Sequence, residues 1–351
     1  MNTNNQHIER NSSNNSLDSI NTDDIDDYSG EPLFDKSKRR FSIFPIEYNK
    51  LYDMYKTQEK AFWRAEEIDF SQDYQHFKEL NENEQHVIKM ILAFFANADG
   101  IVNFNIANKL LNEITIKEAE ITYNFQMMME NIHGITYSLM LENIIKDKNE
   151  KNKLFNAITT IPSIKLMSDW AFKWIDSDCH PAKRIVAFAC VEGIFFSGAF
   201  ATIFWLKKYK SIGKKFMPGL IKSNEFIARD EGLHCEFACE LYHMIINKPN
   251  KDDILDIVKE AVIIAQNFIN DSIKVKLIGL NSDLMNQYIE YVADRLIVSL
   301  GYNKIFNKIN PFSFIDTIGF AQKTNFHDER PTEYVKADND NDLVILNDDE
   351  F

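Results

Sequence analysis

Two short motifs in the chain could hold metal. Glu130-Asn-Ile-His133 and Glu231-Gly-Leu-His234 each set a carboxylate and an imidazole three residues apart. On a helix that spacing puts both side chains on one face. Two such motifs on facing helices can converge on a pair of metal ions if two other helices each add a carboxylate. Asp99, in FFANADGIVNF, and Glu192, in AFACVEGIFFSG, fill that need. Both lie in strongly apolar runs, where a charge is costly unless it is paired or bound to metal. The order acid, Glu-x-x-His, acid, Glu-x-x-His reads as two diverged halves of an internal repeat. Four carboxylates and two imidazoles suit iron or manganese and disfavour copper(I), which prefers sulfur.

A lone Glu-x-x-His is a weak signal, since eight histidines give roughly one by chance. A third copy, Glu240-Leu-Tyr-His243, lies nine residues beyond Glu231 on the same helix. It must face the other way, and we read it as surface or structural. The signal is the set of six on four apolar helices.

The elements that must position these residues are helices. Only 11 glycines and 8 prolines interrupt 351 residues, 45% of them hydrophobic, which favours long helices over a many-turned β fold. Apolar spacing predicts helices near 47–63, 83–113, 116–146, 152–160, 162–177, 181–210, 218–247, 252–274 and 282–300. Four of these approach thirty residues, so the fold class is all-α, a large helical bundle. Residues 1–36 carry eight acids and two bases, and residues 326–351 nine and two. The ends thus hold nearly all of the net charge of −14. We read 1–36 as a disordered tail, too polar to offset its chain entropy. An acidic chain without a basic stripe is a poor nucleic-acid binder. The four cysteines, Cys179, Cys190, Cys235 and Cys239, suggest no disulfide framework, so a reducing, cytoplasmic location is expected. The polar start suggests no signal peptide. The absence of eighteen uninterrupted apolar residues suggests no membrane span.

The segments WRAEEIDFS, FFANADGIV, MMMENIHGITYSLM, FACVEGIFFSGAFATIFWLKK, RDEGLHCEFAC and YIEYVADRL resemble, in the same order, the eukaryotic small subunit of class I ribonucleotide reductase. The resemblance runs from about Arg39 to Tyr334. It implies a ferritin-like fold over residues 37–325, with flanking helices around the bundle. It also implies two iron ions per chain as an oxo-bridged di-iron centre held by Asp99, Glu130, His133, Glu192, Glu231 and His234. The radical tyrosine by this resemblance is Tyr137, four residues after His133. Reducing dioxygen to water takes four electrons: two ferrous ions give two, Tyr137 one, and the last comes from outside. The resemblance routes that electron through Trp63, Asp230 and His133, and makes Phe196, Phe200 and Ile227 an apolar pocket around the radical.

The family's interfacial relay tyrosine matches Tyr334, and Ile345 to Phe351 resemble the peptide that anchors on the large catalytic subunit. Residues 326–351 are therefore expected to be a flexible docking tail. A homodimer, or a heterodimer with a second small subunit, is expected. The chain departs from the family at Phe104, usually a glutamate, and at Ile345, usually a phenylalanine. It also departs in the basic stretch Lys207–Lys215, which we read as a surface loop. A di-iron oxidase or monooxygenase of the same fold, an iron-storage protein, and a non-catalytic scaffold for a sister subunit remain alternatives.

Overall fold

The computed structural model describes residues 30–274 and 276–315. The expectations for Tyr334, for the tail 326–351 and its Ile345–Phe351 peptide, and for most of the N-terminal tail lie outside these residues. Among the described residues eleven α-helices follow in order: α1 Asn49–Lys60, α2 Asp73–Glu79, α3 Glu82–Glu113, α4 Lys117–Ile144, α5 Lys148–Phe155, α6 Ala157–Thr160, α7 Pro162–Ile175, α8 Pro181–Lys210, α9 Pro218–Met244, α10 Lys251–Ser272 and α11 Ser282–Ser299. Among the described residues the only strand-like pairing is an isolated bridge between Leu277 and Leu280.

Helix starts follow local chemistry. Asn81 caps α3, taking the Glu84 N–H, while the Glu84 carboxylate takes the Asn81 N–H in return, which satisfies two donors at once. Pro181 and Pro218 stand at the first positions of α8 and α9, where a missing N–H costs nothing. Asp73 on α2 accepts the Gly219 and Leu220 N–H groups at 3.1 and 2.7 Å and so caps α9 from outside. Gly219 is needed there, because a Cβ would lie 2.6 Å from the Phe70 ring and 2.7 Å from the Asp69 carbonyl.

The core bundle is α3, α4, α8 and α9. After the short turn 114–116, α4 packs back against α3; α9 packs against α8 and α4, and α10 covers α8. The α3–α8 side is closed by rings: Phe94 meets Phe196 at 5.1 Å and Phe95 meets Phe200 at 5.4 Å. Helices α3 and α8 are long and apolar enough to cross a membrane, but 61% of the apolar window of α3 and all of that of α8 is buried inside the protein. Helix α8 is a core helix, apolar all round because protein surrounds it, while α3 keeps one face toward solvent.

The sequence reading differs from the structure in four places. Residues 30–36, read from the sequence as part of the N-terminal tail, pack on the bundle. Leu33 and Phe34 are buried, the Leu33 carbonyl accepts from Thr115 N–H at 2.8 Å, and Glu31 accepts the Ile246 and Asn247 N–H groups. Helix α2 was not expected. The 152–160 helix is two helices, α5 and α6. The first four residues of Lys207–Lys215 finish α8 rather than forming a loop.

Candidate metal centre

All six motif residues come together. Asp99 projects from α3, Glu130 and His133 from α4, Glu192 from α8, and Glu231 and His234 from α9, and each is at most 3% exposed. Potential ligand atoms of Asp99, Glu130 and His133 lie within 4.8 Å of one another, as do those of Glu130, Glu192, Glu231 and His234. Glu130 belongs to both groups. His133 Nδ1 is 3.2 Å from Glu130 and 3.2 Å from Glu231. His234 Nδ1 is 3.0 Å from each of the same two carboxylates. The third Glu-x-x-His copy stays away from the cluster: Glu240 pairs with Lys50, and exposed His243 meets the Ser299 carbonyl.

Glu192 sits in a local irregularity. Residues Val191–Phe195 form a π-turn inside α8, a wide turn that shifts the register of the following face and recurs at functional positions. A second π-turn, Ile106–Leu110, follows Asp99 on α3.

The electrostatics show what the cluster lacks. Burial, reinforced by the charge of Glu130, holds the Asp99 carboxyl well above the usual carboxylate range. Burial, then Glu231 and Glu130, does the same to Glu192. Burial opposes charge on the imidazoles, but hydrogen bonds that His133 donates to Asp230, Glu130 and Glu231 outweigh it and raise His133; Glu130 leads in raising His234 to about 9. The cluster thus holds on to protons, the positive charge within reach. Both Asp99 oxygens and Glu192 Oε2 are buried without a hydrogen-bond partner, a costly state for carboxylates. Divalent cations would supply the missing charge and take these oxygens as ligands, releasing the protons. The donor set of oxygens and imidazole nitrogens fits iron or manganese.

Around the cluster, Trp63 Nε1 donates to Asp230 Oδ2 at 2.7 Å, and the same oxygen lies 3.1 Å from His133 Nε2. The Trp63 and His133 rings stack at 5.8 Å. Arg229 donates twice to Asp230 Oδ1, at 3.0 and 2.8 Å; although burial opposes it, Arg229 first, then His133, keeps the Asp230 carboxyl below its usual value. The Tyr137 phenol is buried with no partner for its hydroxyl. Burial, followed by the charges of Asp99 and three glutamates, holds it well above its ordinary pKa. Its ring stacks on Phe95 at 4.6 Å, and Phe95 in turn contacts Phe196 and Phe200. Ile227 is fully buried on α9. Phe104 sits half-exposed on α3, edge-on to Phe172 and apart from the cluster.

Two residues escaped the sequence reading. Phe95 lies four residues before Asp99, and Gln126 four before Glu130. Gln126 Nε2 donates to Glu192 Oε1 at 2.9 Å and to Glu130 Oε1 at 3.3 Å. The i,i+4 rule that pairs Tyr137 with His133 would have found both.

Residues 40–311 match the family model described as ribonucleotide reductase, small chain. The chain is 50% identical over 305 residues to ribonucleoside-diphosphate reductase subunit M2 of Mesocricetus auratus, an alignment covering 87% of this chain and 78% of the relative. It is 49% identical over 306 residues to the ribonucleoside-diphosphate reductase small chain of Vaccinia virus (strain Ankara), covering 87% and 94%. Among solved structures, the ribonucleotide reductase Rnr4 homodimer from Saccharomyces cerevisiae matches with a TM-score of 0.74 at 36% identity, covering 81% of this chain and 89% of that one.

Proposed function

The chain belongs to the ribonucleotide reductase small-chain family, and from that premise we propose that it makes and stores a tyrosyl radical for a large catalytic subunit. It is a ribonucleoside-diphosphate reductase small chain with a ferritin-like helical fold. Two iron ions would be held by Asp99, Glu130, His133, Glu192, Glu231 and His234. When bound, they supply two of the electrons, and the Lewis acidity, for reducing dioxygen.

The side chains do the rest. Tyr137 gives one electron. Its phenol is kept neutral by burial and by the surrounding carboxylates, so the electron leaves together with the hydroxyl proton. The oxidised ring then persists because Phe95, backed by Phe196, Phe200 and Ile227, excludes water and reductants. Trp63, Asp230 and His133 form an unbroken line of hydrogen-bonding groups from an indole to a ligand imidazole. Asp230, ionised and braced by Arg229, balances positive charge on either neighbour. This line carries the fourth electron inward and later exchanges the radical equivalent with the partner, which reduces ribonucleotides to deoxyribonucleotides. Tyr334 would extend the path across the interface, and Ile345 to Phe351 would anchor the tail on the large subunit. We place the chain in the cytoplasm as a homodimer, or as a heterodimer with a second small subunit.

The observation that carries this reading is the Trp63–Asp230–His133 line meeting the six-residue cluster beside Tyr137. An oxidase of the same fold needs the cluster but not that line. The test is to load the metal-free protein with ferrous iron, admit oxygen and record low-temperature EPR spectra of wild type and Tyr137→Phe. A tyrosyl signal in wild type that the variant lacks is expected. Iron uptake without that signal in either protein would end the radical reading.

A further inference from the structure

Gln126 is fully buried on α4, and its amide spans two helices. Nε2 donates to Glu192 on α8 and to Glu130 on its own helix, while Oε1 has no partner. With both carboxylates ionised by bound metal, turning the amide over would set its oxygen against two negative charges, so the N–H side faces them. The two oxygens of Glu192 are therefore unequal: Oε1 is occupied by the amide, and Oε2 has no donor. The π-turn that carries Glu192 is buried along its whole length, so bulk solvent does not compete for either oxygen.

We propose that Gln126 is a positioning residue that commits Glu192 to metal ligation through the single oxygen Oε2. The proposal rests on the two-metal reading above and concerns the half of the cluster formed by Glu192, Glu231 and His234. An oxygen whose lone pair is directed at an amide N–H is the poorer ligand, and an amide that fixes a ligating carboxylate sets both affinity and coordination number. Without the amide, Glu192 turns freely about its side-chain bonds and can offer both oxygens.

The test compares wild type with Gln126→Met, which keeps length but has no N–H, and Gln126→His, which restores a ring N–H. Metal-free protein is titrated with cobalt(II) without oxygen, with stoichiometry and visible spectrum recorded. Wild type should take up two ions per chain. Gln126→Met should weaken one binding step by about 10–100-fold, leave the other unchanged, and alter the visible bands of the loaded protein. Gln126→His should recover the wild-type spectrum, and circular dichroism should show all three metal-free proteins folded and helical. If Gln126→Met keeps both affinities and the wild-type spectrum, or if both steps weaken together, the positioning role is overturned. Wild type binding fewer than two ions would instead sink the two-metal reading, and this proposal with it.

Discussion

The two halves of the cluster use the same ligand types but are held by different neighbours. In the first half, His133 is tied through Asp230 to Trp63 and Arg229, and Tyr137 lies among the carboxylate charges with Asp99 foremost. In the second, Glu192 is set by a π-turn and by the Gln126 amide. Both halves follow the order acid, then Glu-x-x-His. The difference lies in what surrounds them: under the proposed function one half would pass charge outward, and the other would hold a carboxylate in place.

Changes that ignore the division should have the largest effect. Glu130 belongs to both ligand groups, so Glu130→Ala should abolish uptake of both metals rather than one; metal analysis of the reloaded protein checks this. Retention of one full equivalent would mean that the halves are more independent than the shared carboxylate implies. Next comes a change confined to the outward-facing half. Asp230→Asn keeps an acceptor between Trp63 and His133 but removes the charge. It should leave two metals bound while slowing radical formation by about 10–100-fold, the usual cost of removing such a partner. Stopped-flow absorbance with parallel EPR would follow it, and a loss of metal of similar size would place Asp230 in binding rather than transfer.

Much of this was legible in the residues because helices translate spacing into geometry. The six motif residues lie together in the structure, with Trp63 and Asp230 hydrogen-bonded at their edge and Tyr137 within reach of their charges. What was not legible has physical causes. A π-turn leaves no mark in composition, so the widened turn at Val191–Phe195 could not be read from the 3.6-residue period. The seven residues of α2 fall below the window in which periodicity can be told from chance. Residues 30–36 were averaged into an acidic tail, although Leu33, Phe34 and the clamp of Glu31 on Ile246 and Asn247 fix them to the bundle. Gln126 and Phe95 were visible in principle, one turn before a ligand, but a neutral amide and a core aromatic do not stand out.

The contrast between halves extends to how their Glu-x-x-His helices are anchored. Near the start of α4, buried Glu118 accepts the Arg40 guanidinium and the N–H groups of Glu47 and Tyr48. Burial opposes its ionisation, but Arg40 and these N–H groups win and lower its pKa. A lowered carboxyl stabilises the fold above its unfolded pKa, and the contribution is lost as pH falls through the folded value. Glu118→Gln removes the buried charge that Arg40 meets, leaving Arg40 with Glu47 and the Ile43 and Pro45 carbonyls, and should cost about 1.5–3 kcal/mol at neutral pH, with the deficit shrinking in acid. Denaturant melts of the metal-free protein measure it.

The anchor of α9 should behave in the opposite sense and more weakly. Asp73 has no cationic partner, only two backbone N–H groups, and burial outweighs them to push its carboxyl up to about 6 from 3.8. A raised carboxyl contributes stability that is fully present below the unfolded value and is lost as pH rises through the folded one. Asp73→Asn retains one acceptor and removes the titration, so it should cost about 1 kcal/mol, most visibly near pH 4, with the gap to wild type closing between about pH 4 and 6. Other carboxylates titrate in that range too, but equally in both proteins, so the difference isolates Asp73. A gap that widened with pH would mean that the N–H groups of α9 stabilise the ionised carboxylate more than burial opposes it. The two helices would then be anchored alike, and the contrast would be confined to the cluster.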